Sequence, residues 1–353
     1  MDQEHLVAID QKVIDRDQRE SIRDSHLLIE TATLNFLLEA IDPLVLPPYK
    51  GSTFRGALGS SLRRITCKTD APICRDCDHA TACVYSYIFN TPPPPGSDRM
   101  KKAETAPHPF VIEPPLEEKQ FYNPGDRLAF GLLLIGRGIE LAEIFIEAIE
   151  SMGERGLGNK KESRGRVRIT SIKNSEKRDV ISRDALAADL PRKQIPIDRF
   201  PTADFNRISK SDFAISFITP ARFCIDQQPI GPRDFTFSLL IRHLVRRISL
   251  VDYFHGSGGR SGWNAHEIIE AADRVRIRDN NLSWFDWERF STTQNKRMAL
   301  GGLVGNAVFD SNVEPFLPFL RAGEVLHVGK NTTFGLGKYF LNNSIGDRYG
   351  YLS

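Results

Sequence analysis

The stretch GEVLHVGKNTTFGLGKY, residues 323–339, restricts the fold more than any other part of the chain. Its pattern predicts a short strand, a loop with three glycines and two lysines, and then a second strand. The glycine spacing matches neither the GxGxxG fingerprint nor the phosphate loop of nucleotide-binding enzymes, and the loop leads into a strand instead of a helix. The stretch therefore disfavours a nucleotide-binding α/β fold.

The same loop is a candidate anion site, formed by Gly329, Lys330, Gly335, Gly337 and Lys338. Glycines allow a close approach to the backbone, and successive amide N–H groups can surround an anion. With two lysines nearby, the pattern predicts binding to a phosphate backbone, whereas an ordinary glycine-rich hairpin is the alternative. The prediction requires the loop to face solvent and not to pack against its own protein.

The composition is that of a globular protein. The chain has 353 residues, 41% hydrophobic and 26% charged, which fits two domains. Because the net charge is only +2, a nucleic-acid surface would have to be local. The first residues lack a signal-peptide pattern, and no apolar run is long enough to span a bilayer. These features predict a cytoplasmic protein without a membrane partner.

Hydrophobic periodicity predicts the order β-α-β-β-α-β twice. In the first half the predicted elements are a strand at 26–40, a helix from Ser52 to Ile65, strands at 109–113 and 127–135, a helix at 139–152 and a strand at 165–171. In the second half they are a strand at 213–219, a helix at 234–251, strands at 283–292 and 301–309, a helix at 314–321 and the strands around the glycine loop. This order predicts an α+β protein with two tandem ferredoxin-like, or RRM-like, domains and a C-terminal glycine-rich loop.

The predicted boundaries follow from this repeat. Residues 1–25 form an N-terminal extension, 26–175 the first domain, 176–210 a polar linker and 211–345 the second domain. Two basic regions accompany the glycine turns. The turn at 153–168 carries six arginines and lysines, and the helix at 234–251 carries Arg242, His243, Arg246 and Arg247 on one arc. A polyanion groove would explain both regions, although solvated basic faces are the alternative.

Four cysteines predict a metal site. Cys67, Cys74, Cys77 and Cys83 lie within one short segment and could supply a complete tetrahedral shell. Zinc is one candidate. The spacing is also similar to that of the [4Fe–4S] loop in DNA glycosylases resembling endonuclease III, which favours an iron–sulfur cluster. In either case the predicted role is structural.

Three segments resemble one family. Residues 49–59, residues 220–222 together with 246–250, and the glycine stretch 329–338 are similar to CRISPR-associated endoribonucleases of the RAMP superfamily, the sixth Cas family. The resemblance implies an antiviral-defence enzyme that cuts precursor CRISPR RNA within its repeats. It implies metal-independent attack of a 2′-hydroxyl, which leaves a 2′,3′-cyclic phosphate and a 5′-hydroxyl. Other Cas proteins of an effector complex are the further partners it implies.

The predicted site residues depart from the family pattern. Members often have a histidine in or near the first helix, but residues 52–65 contain none. Tyr49, Lys50 and Arg55 are therefore the predicted catalytic residues, with Arg242 and Arg246 joining the glycine loop as RNA contacts. Candidates for the general base are His79, His108, His255 and His327, and for each a buried structural role is the alternative.

Two other functions remain open at this point. A RAMP subunit that binds CRISPR RNA without cutting it would account for the missing histidine. An iron–sulfur DNA glycosylase would account for the cysteine spacing, but such enzymes are nearly all helical, and the many predicted strands disfavour this class.

Overall fold

A computed structural model describes residues 27–69, 74–80, 82–94, 96–100, 105–158, 164–180, 190–197, 213–256, 258, 263–291, 296–309 and 313–342. The predicted extension at 1–25 lies outside the described residues. No helix in the described part is long and apolar enough to cross a membrane.

The first half is built on a five-stranded antiparallel sheet, in which four strands follow the order β3-β5-β1-β6 and β7 also pairs with β1. Helix α1 connects β1 to β3 and helix α2 connects β5 to β6, so the order is that of a ferredoxin-like domain. Its elements are β1 (Leu27–Ala40), β2 (Leu44–Val45), α1 (Gly51–Thr66), β3 (Phe110–Glu113), β4 (Phe121–Tyr122), β5 (Arg127–Ile135), α2 (Ala142–Arg155), β6 (Val167–Asn174) and β7 (Lys193–Ile197).

The second half has the same arrangement, with the strand order β11-β14-β8-β15. Its elements are β8 (Phe213–Ala221), β9 (Cys224–Ile225), β10 (Gln228–Pro229), α3 (Phe237–His255), α4 (Ala265–Ala272), β11 (Ile277–Phe285), β12 (Glu288–Ser291), β13 (Lys296–Ala299), β14 (Gly302–Phe309), α5 (Leu317–Leu326) and β15 (Tyr339–Asn342). The predicted fold of two tandem ferredoxin-like α+β domains is confirmed.

Several predicted elements need correction. The strand predicted at the start of the glycine stretch is wrong, because α5 continues through Leu326 and the loop begins at His327. The helix predicted from Ser52 to Ile65 is α1, which begins one residue earlier, at Gly51, and ends one residue later, at Thr66. Within the predicted linker, β7 pairs with the start of β1. The single strand predicted at 283–292 is two strands, the end of β11 and the whole of β12, which pairs with β13.

The two halves share a hydrophobic core. Val111, Leu133 and Ile135 of the first sheet belong to the same buried cluster as Leu240 of α3 and Leu320 of α5. A second cluster lies within the first half, between its sheet and α1 and α2. Because apolar burial joins the halves, polar groups at their junction are held in fixed positions.

Candidate functional site

Most of the glycine loop is buried at the junction of the two halves. Residues from Thr332 to Gly337 are buried, and a short 3₁₀ turn at Thr332–Phe334 contacts β3 and α1. Gly337 has φ +75°, and a Cβ at this position would collide with the carbonyl oxygen of Val328. The prediction that Gly335 and Gly337 line an open groove is therefore wrong, because these glycines allow the loop to pack against its own protein.

Tyr49 and Lys50 hold the start of α1 in place. The Tyr49 hydroxyl donates to the carbonyl oxygen of Phe334 at 2.9 Å, and burial raises its pKa. Lys50 has no exposed surface; its Nζ donates to the carbonyl oxygens of Glu117 at 2.5 Å and Pro48 at 3.3 Å. The next residue, Gly51, has to be glycine because a Cβ at this position would collide with the carbonyl oxygen of Phe334. Both side chains are held by hydrogen bonds within the protein, so these contacts do not favour their predicted catalytic role.

Arg55 links α1 to the glycine loop. Its guanidinium lies over the rings of Phe89 and Phe334, 4.2 and 4.6 Å from their centroids. Its Nε donates to Thr333 Oγ1 at 3.0 Å, and one terminal nitrogen donates to His108 Nε2 at 3.3 Å. These planar contacts join the two halves. They give Arg55 a positioning role in place of the predicted catalytic one.

Three of the four candidate histidines have partners on both ring nitrogens. His108 lies between Arg55 and the Thr91 hydroxyl, which is 2.8 Å from Nδ1. His255 lies between the Tyr87 hydroxyl and the Pro107 carbonyl, and burial lowers its pKa to about 4. Since neither histidine has a free nitrogen, the structural alternative fits them. His79 is exposed in the cysteine segment.

His327 is the third candidate histidine with partners on both ring nitrogens. It belongs to an ionic cluster that crosses the junction between the two halves. Glu113 Oε1 accepts from Lys338 Nζ at 2.6 Å and lies 3.2 Å from His327 Nε2, while His327 Nδ1 lies 3.1 Å from the carbonyl of Leu336. Burial opposes ionisation of Glu113, but the hydrogen bond from His327 and the charge of Lys338 outweigh it and lower its pKa to about 2. Lys338 is thus neutralised by Glu113, and its predicted contact with RNA is not favoured.

Two arginines of the basic turn after α2 are also neutralised. Arg166 forms a two-pronged ion pair with Asp42, and Arg168 pairs with Glu39 at 2.5 Å. Arg164 donates to the carbonyl of Gly156. Lys160 and Lys161 lie outside the described residues. This turn therefore supplies little of the predicted polyanion groove.

One group of predicted RNA contacts does converge, and we call it the cationic patch: Arg242, His243 and Arg246 of α3 with Lys330 of the glycine loop. The charges of all three basic residues act on the His243 ring and lower its pKa, after the larger effect of its burial. Arg242, Arg246 and Lys330 are exposed. Arg247 is not part of the patch, because its guanidinium is buried and donates twice to the carbonyl of Leu326.

The cysteine segment brings its sulfurs only partly together. All four thiols are half-buried and free of disulfides, and Thr69 Oγ1 lies 3.5 Å from Cys77 Sγ and 4.0 Å from Cys67 Sγ. Among the described residues there is no group of three or more ligands that could hold a metal ion. The four-cysteine metal site therefore stays a prediction from spacing.

His243 lies on the basic arc predicted for the helix at 234–251, but it is not among the four histidines predicted as candidates for the general base. The available signal was its position one residue after Arg242 and three before Arg246, which puts all three on one helical face. The approach of Lys330 could not be anticipated, because it depends on how α5 ends and the loop turns.

Comparisons with known proteins agree with this division into halves. Residues 215–339 match the model of the CRISPR-associated endoribonuclease Cas6 family, and residues 28–193 match a family model described as an N-terminal domain. An uncharacterized protein of Archaeoglobus fulgidus is 22% identical over 308 residues, which cover 83% of this chain and 91% of that protein.

Two solved structures share the fold. A partial Cas6-RT-Cas1–Cas2 complex and a Cas6-RT-Cas1–Cas2 complex each contain a chain that aligns with a TM-score of 0.55 and 16% identity over 93% of this chain. The chain spans 48% and 30% of the lengths of those two chains. At this identity the likeness establishes the fold.

Proposed function

We propose that the chain, whose residues 215–339 match the model of the CRISPR-associated endoribonuclease family Cas6, cuts precursor CRISPR RNA within the repeats. The observation that carries the proposal is the cationic patch: the backbone N–H of Lys330 donates to the carbonyl of Arg222, two residues from the Cys224 carbonyl that contacts His243, and the exposed Arg242 and Arg246 flank His243 on α3. Clustered cations bind a phosphate backbone and stabilise the charge that develops when a phosphodiester is cleaved.

The proposed reaction needs no metal ion. The ribose 2′-oxygen attacks the adjacent phosphorus, the bond to the 5′-oxygen breaks, and the products carry a 2′,3′-cyclic phosphate and a 5′-hydroxyl. Such a reaction requires a base for the 2′-hydroxyl, a proton for the leaving oxygen and cations beside the phosphate. The patch offers an imidazole and three cations for these tasks.

The test uses the full-length protein and end-labelled repeat RNA in EDTA. A discrete cut is expected, and it should disappear when the nucleotide at the cut site carries a 2′-deoxy sugar. A cut that persists on the deoxy substrate, or that requires a divalent metal, would contradict the proposed chemistry. RNA retention without cleavage would favour the alternative of a subunit that only binds CRISPR RNA.

We also propose that the cysteine segment takes up an iron–sulfur cluster or zinc. The support is its donor set of four thiols within 17 positions, Cys67 to Cys83. The segment would have to close around the metal, since its sulfurs do not form a ligand group as described. Visible absorption with bound iron would support a cluster, and stoichiometric zinc in colourless protein would support zinc. Protein purified without oxygen that contains neither metal would contradict the proposal.

Other Cas proteins are the proposed protein partners. The two structures with the same fold are named as complexes with Cas1 and Cas2. Co-purification of the tagged chain with Cas proteins from its own cells tests this. Recovery of the tagged chain alone at physiological salt would count against it.

A further inference from the structure

We infer that His243 is the general base that takes the proton of the attacking 2′-hydroxyl. The inference rests on the proposed function, because it assigns a residue to the RNA cleavage proposed above. It is carried by one imidazole with an unused ring nitrogen, which lies on α3 between the exposed Arg242 and Arg246 and bonds to the same short segment, residues 222–224, that holds the backbone of Lys330.

A hydrogen bond fixes the tautomer of His243. Its Nε2 lies 3.3 Å from the carbonyl oxygen of Cys224, which can only accept, so Nε2 carries the proton. The ring also packs edge-on against Phe223, with 5.1 Å between centroids. Among the described residues, no hydrogen bond is made to Nδ1. A lone pair on an oriented ring is what a general base requires.

The surroundings of His243 keep the imidazole neutral. Burial lowers its pKa, the bond to Cys224 opposes this, and the charges of Arg246, Lys330 and Arg242 lower the pKa further. No acidic residue contributes to the shift. The ring is therefore unprotonated at neutral pH, and the cations remain available for the phosphate.

The other histidines in the described chain are less suitable. His79 follows the acidic residue Asp78 in the cysteine segment, outside the cationic patch. His108, His255 and His327 use both ring nitrogens within the protein. His266 on α4 is exposed, but its Nδ1 lies 3.7 Å from the carboxylate of Glu270, which would repel a phosphate. His243 alone among these combines a free nitrogen with cationic neighbours.

The step balances without a metal or a co-reactant beyond water. The 2′-hydroxyl proton passes to His243 Nδ1 while the 2′-oxygen forms its bond to phosphorus. The bond from phosphorus to the 5′-oxygen breaks, and its electron pair stays on that oxygen, which takes a proton from water. The imidazolium then gives its proton to the resulting hydroxide, and the ring returns to its neutral form.

The test compares His243→Gln with the control His266→Gln in single-turnover cleavage of repeat RNA. Glutamine can keep the bond to the Cys224 carbonyl but cannot act as a base. We expect His243→Gln to retain RNA affinity and to cut about 100-fold more slowly or worse, since general base catalysis typically contributes roughly 10²–10⁴-fold. His266→Gln should cut at the parental rate.

The pH profile gives a readout that a purely structural role would not change. For the parent protein, the cleavage rate should rise with pH across the imidazole pKa, which lies below its ordinary value of 6.5, and then level off. This rise should be absent in His243→Ala, and added imidazole should restore part of the rate.

The possible failures can be distinguished. If the parent protein cuts and His243→Gln cuts at the parental rate, the inference is overturned while the proposed function stands. If the parent protein does not cut any RNA that it binds, the proposed function fails and the inference fails with it. If His243→Gln loses RNA affinity in proportion to cleavage, His243 contributes to binding and is not the base.

Discussion

The two ends of the glycine loop face different environments. The inner end, from Thr332 to Lys338, is largely buried against β3 and α1 of the first half, and its lysine is neutralised by Glu113. The outer end holds the exposed Lys330, which donates to Gln227 and adds its charge to the α3 arginines. One motif therefore serves two purposes, because the inner glycines allow packing whereas the outer lysine adds to a charged surface.

Replacement of Gly337 by alanine should have the largest effect on stability. The residue has φ +75°, and the added Cβ would meet the backbone of Val328, which cannot move aside as a flexible side chain could. We expect a loss of about 4 kcal/mol or more in the free energy of unfolding, measured by urea denaturation, because strain and overpacking combine.

Gly56→Ala is the matched control. Gly56 lies in α1, is exposed, and has open space where a Cβ would be. Alanine should stabilise the helix there by roughly 0.5–1 kcal/mol. Equal stability of the Gly337→Ala and parent proteins would show that the inner end of the loop is not packed as described.

Arg55→Ala should be the next most damaging substitution. It removes the bonds to Thr333 and His108 and the contacts with two rings. We expect the free energy of unfolding, measured by urea denaturation, to fall by about 3 kcal/mol, since buried partners are left unsatisfied. Arg55→Lys should recover little of this, because lysine lacks the planar fork. The control is Arg64→Ala, at an exposed arginine of the same helix. If Arg55→Ala reduced the free energy of unfolding less than this control does, the positioning role of Arg55 would be contradicted.

The fold was largely predictable, because it depends on local periodicity. The nine residues of β5 and the repeated β-α-β-β-α-β order follow from apolar spacing that both halves satisfy. The prediction of a short strand at the start of the glycine stretch failed because Val325 and Leu326 extend the apolar face of α5 into the shared core. Tertiary packing there outweighs the strand propensity of a short apolar run.

The candidate site was less predictable, because it depends on contacts across the junction. Whether Lys50 is a reactive amine or a buried anchor depends on the carbonyl of Glu117, which is 67 residues away. Likewise Lys338 is neutralised by Glu113, 225 residues away. Residue type and spacing indicate which groups could act, but burial and partners determine which of them face solvent.

The buried junction should make stability fall in acid. In the folded protein burial lowers the pKa of His255 to about 4, from an ordinary value of 6.5, so the unfolded chain binds this proton more readily. Stability is therefore retained above pH 6.5 and lost as the pH falls toward 4. Between pH 7 and pH 5 the loss in the free energy of unfolding from this group is about 2 kcal/mol.

Urea denaturation at both pH values, for the parent protein and for His255→Gln, checks this prediction. The variant should be less stable at pH 7 because its contacts are altered, but its stability should change less between the two values. A parallel decline of both proteins would show that other groups cause the acid sensitivity.

Lys330→Ala should have the smallest effect and is the sharpest test of the outer end. An exposed lysine contributes little to folding, so the free energy of unfolding should be unchanged. Loss of one phosphate contact should weaken RNA binding by about 1 kcal/mol and reduce the salt slope of the binding constant by about 1.

Lys338→Met provides the opposite case within the same loop. This substitution removes the ion pair of the half-buried Glu113 carboxylate with Lys338 and leaves only His327 beside it, so it should destabilise the fold. The salt slope of RNA binding should stay at the parental value. Measuring urea denaturation and salt-dependent RNA binding on both variants separates the two roles. If Lys338→Met reduced the salt slope and Lys330→Ala did not, the assignment of inner and outer ends would be reversed, since the phosphate would then lie at the junction and not on α3.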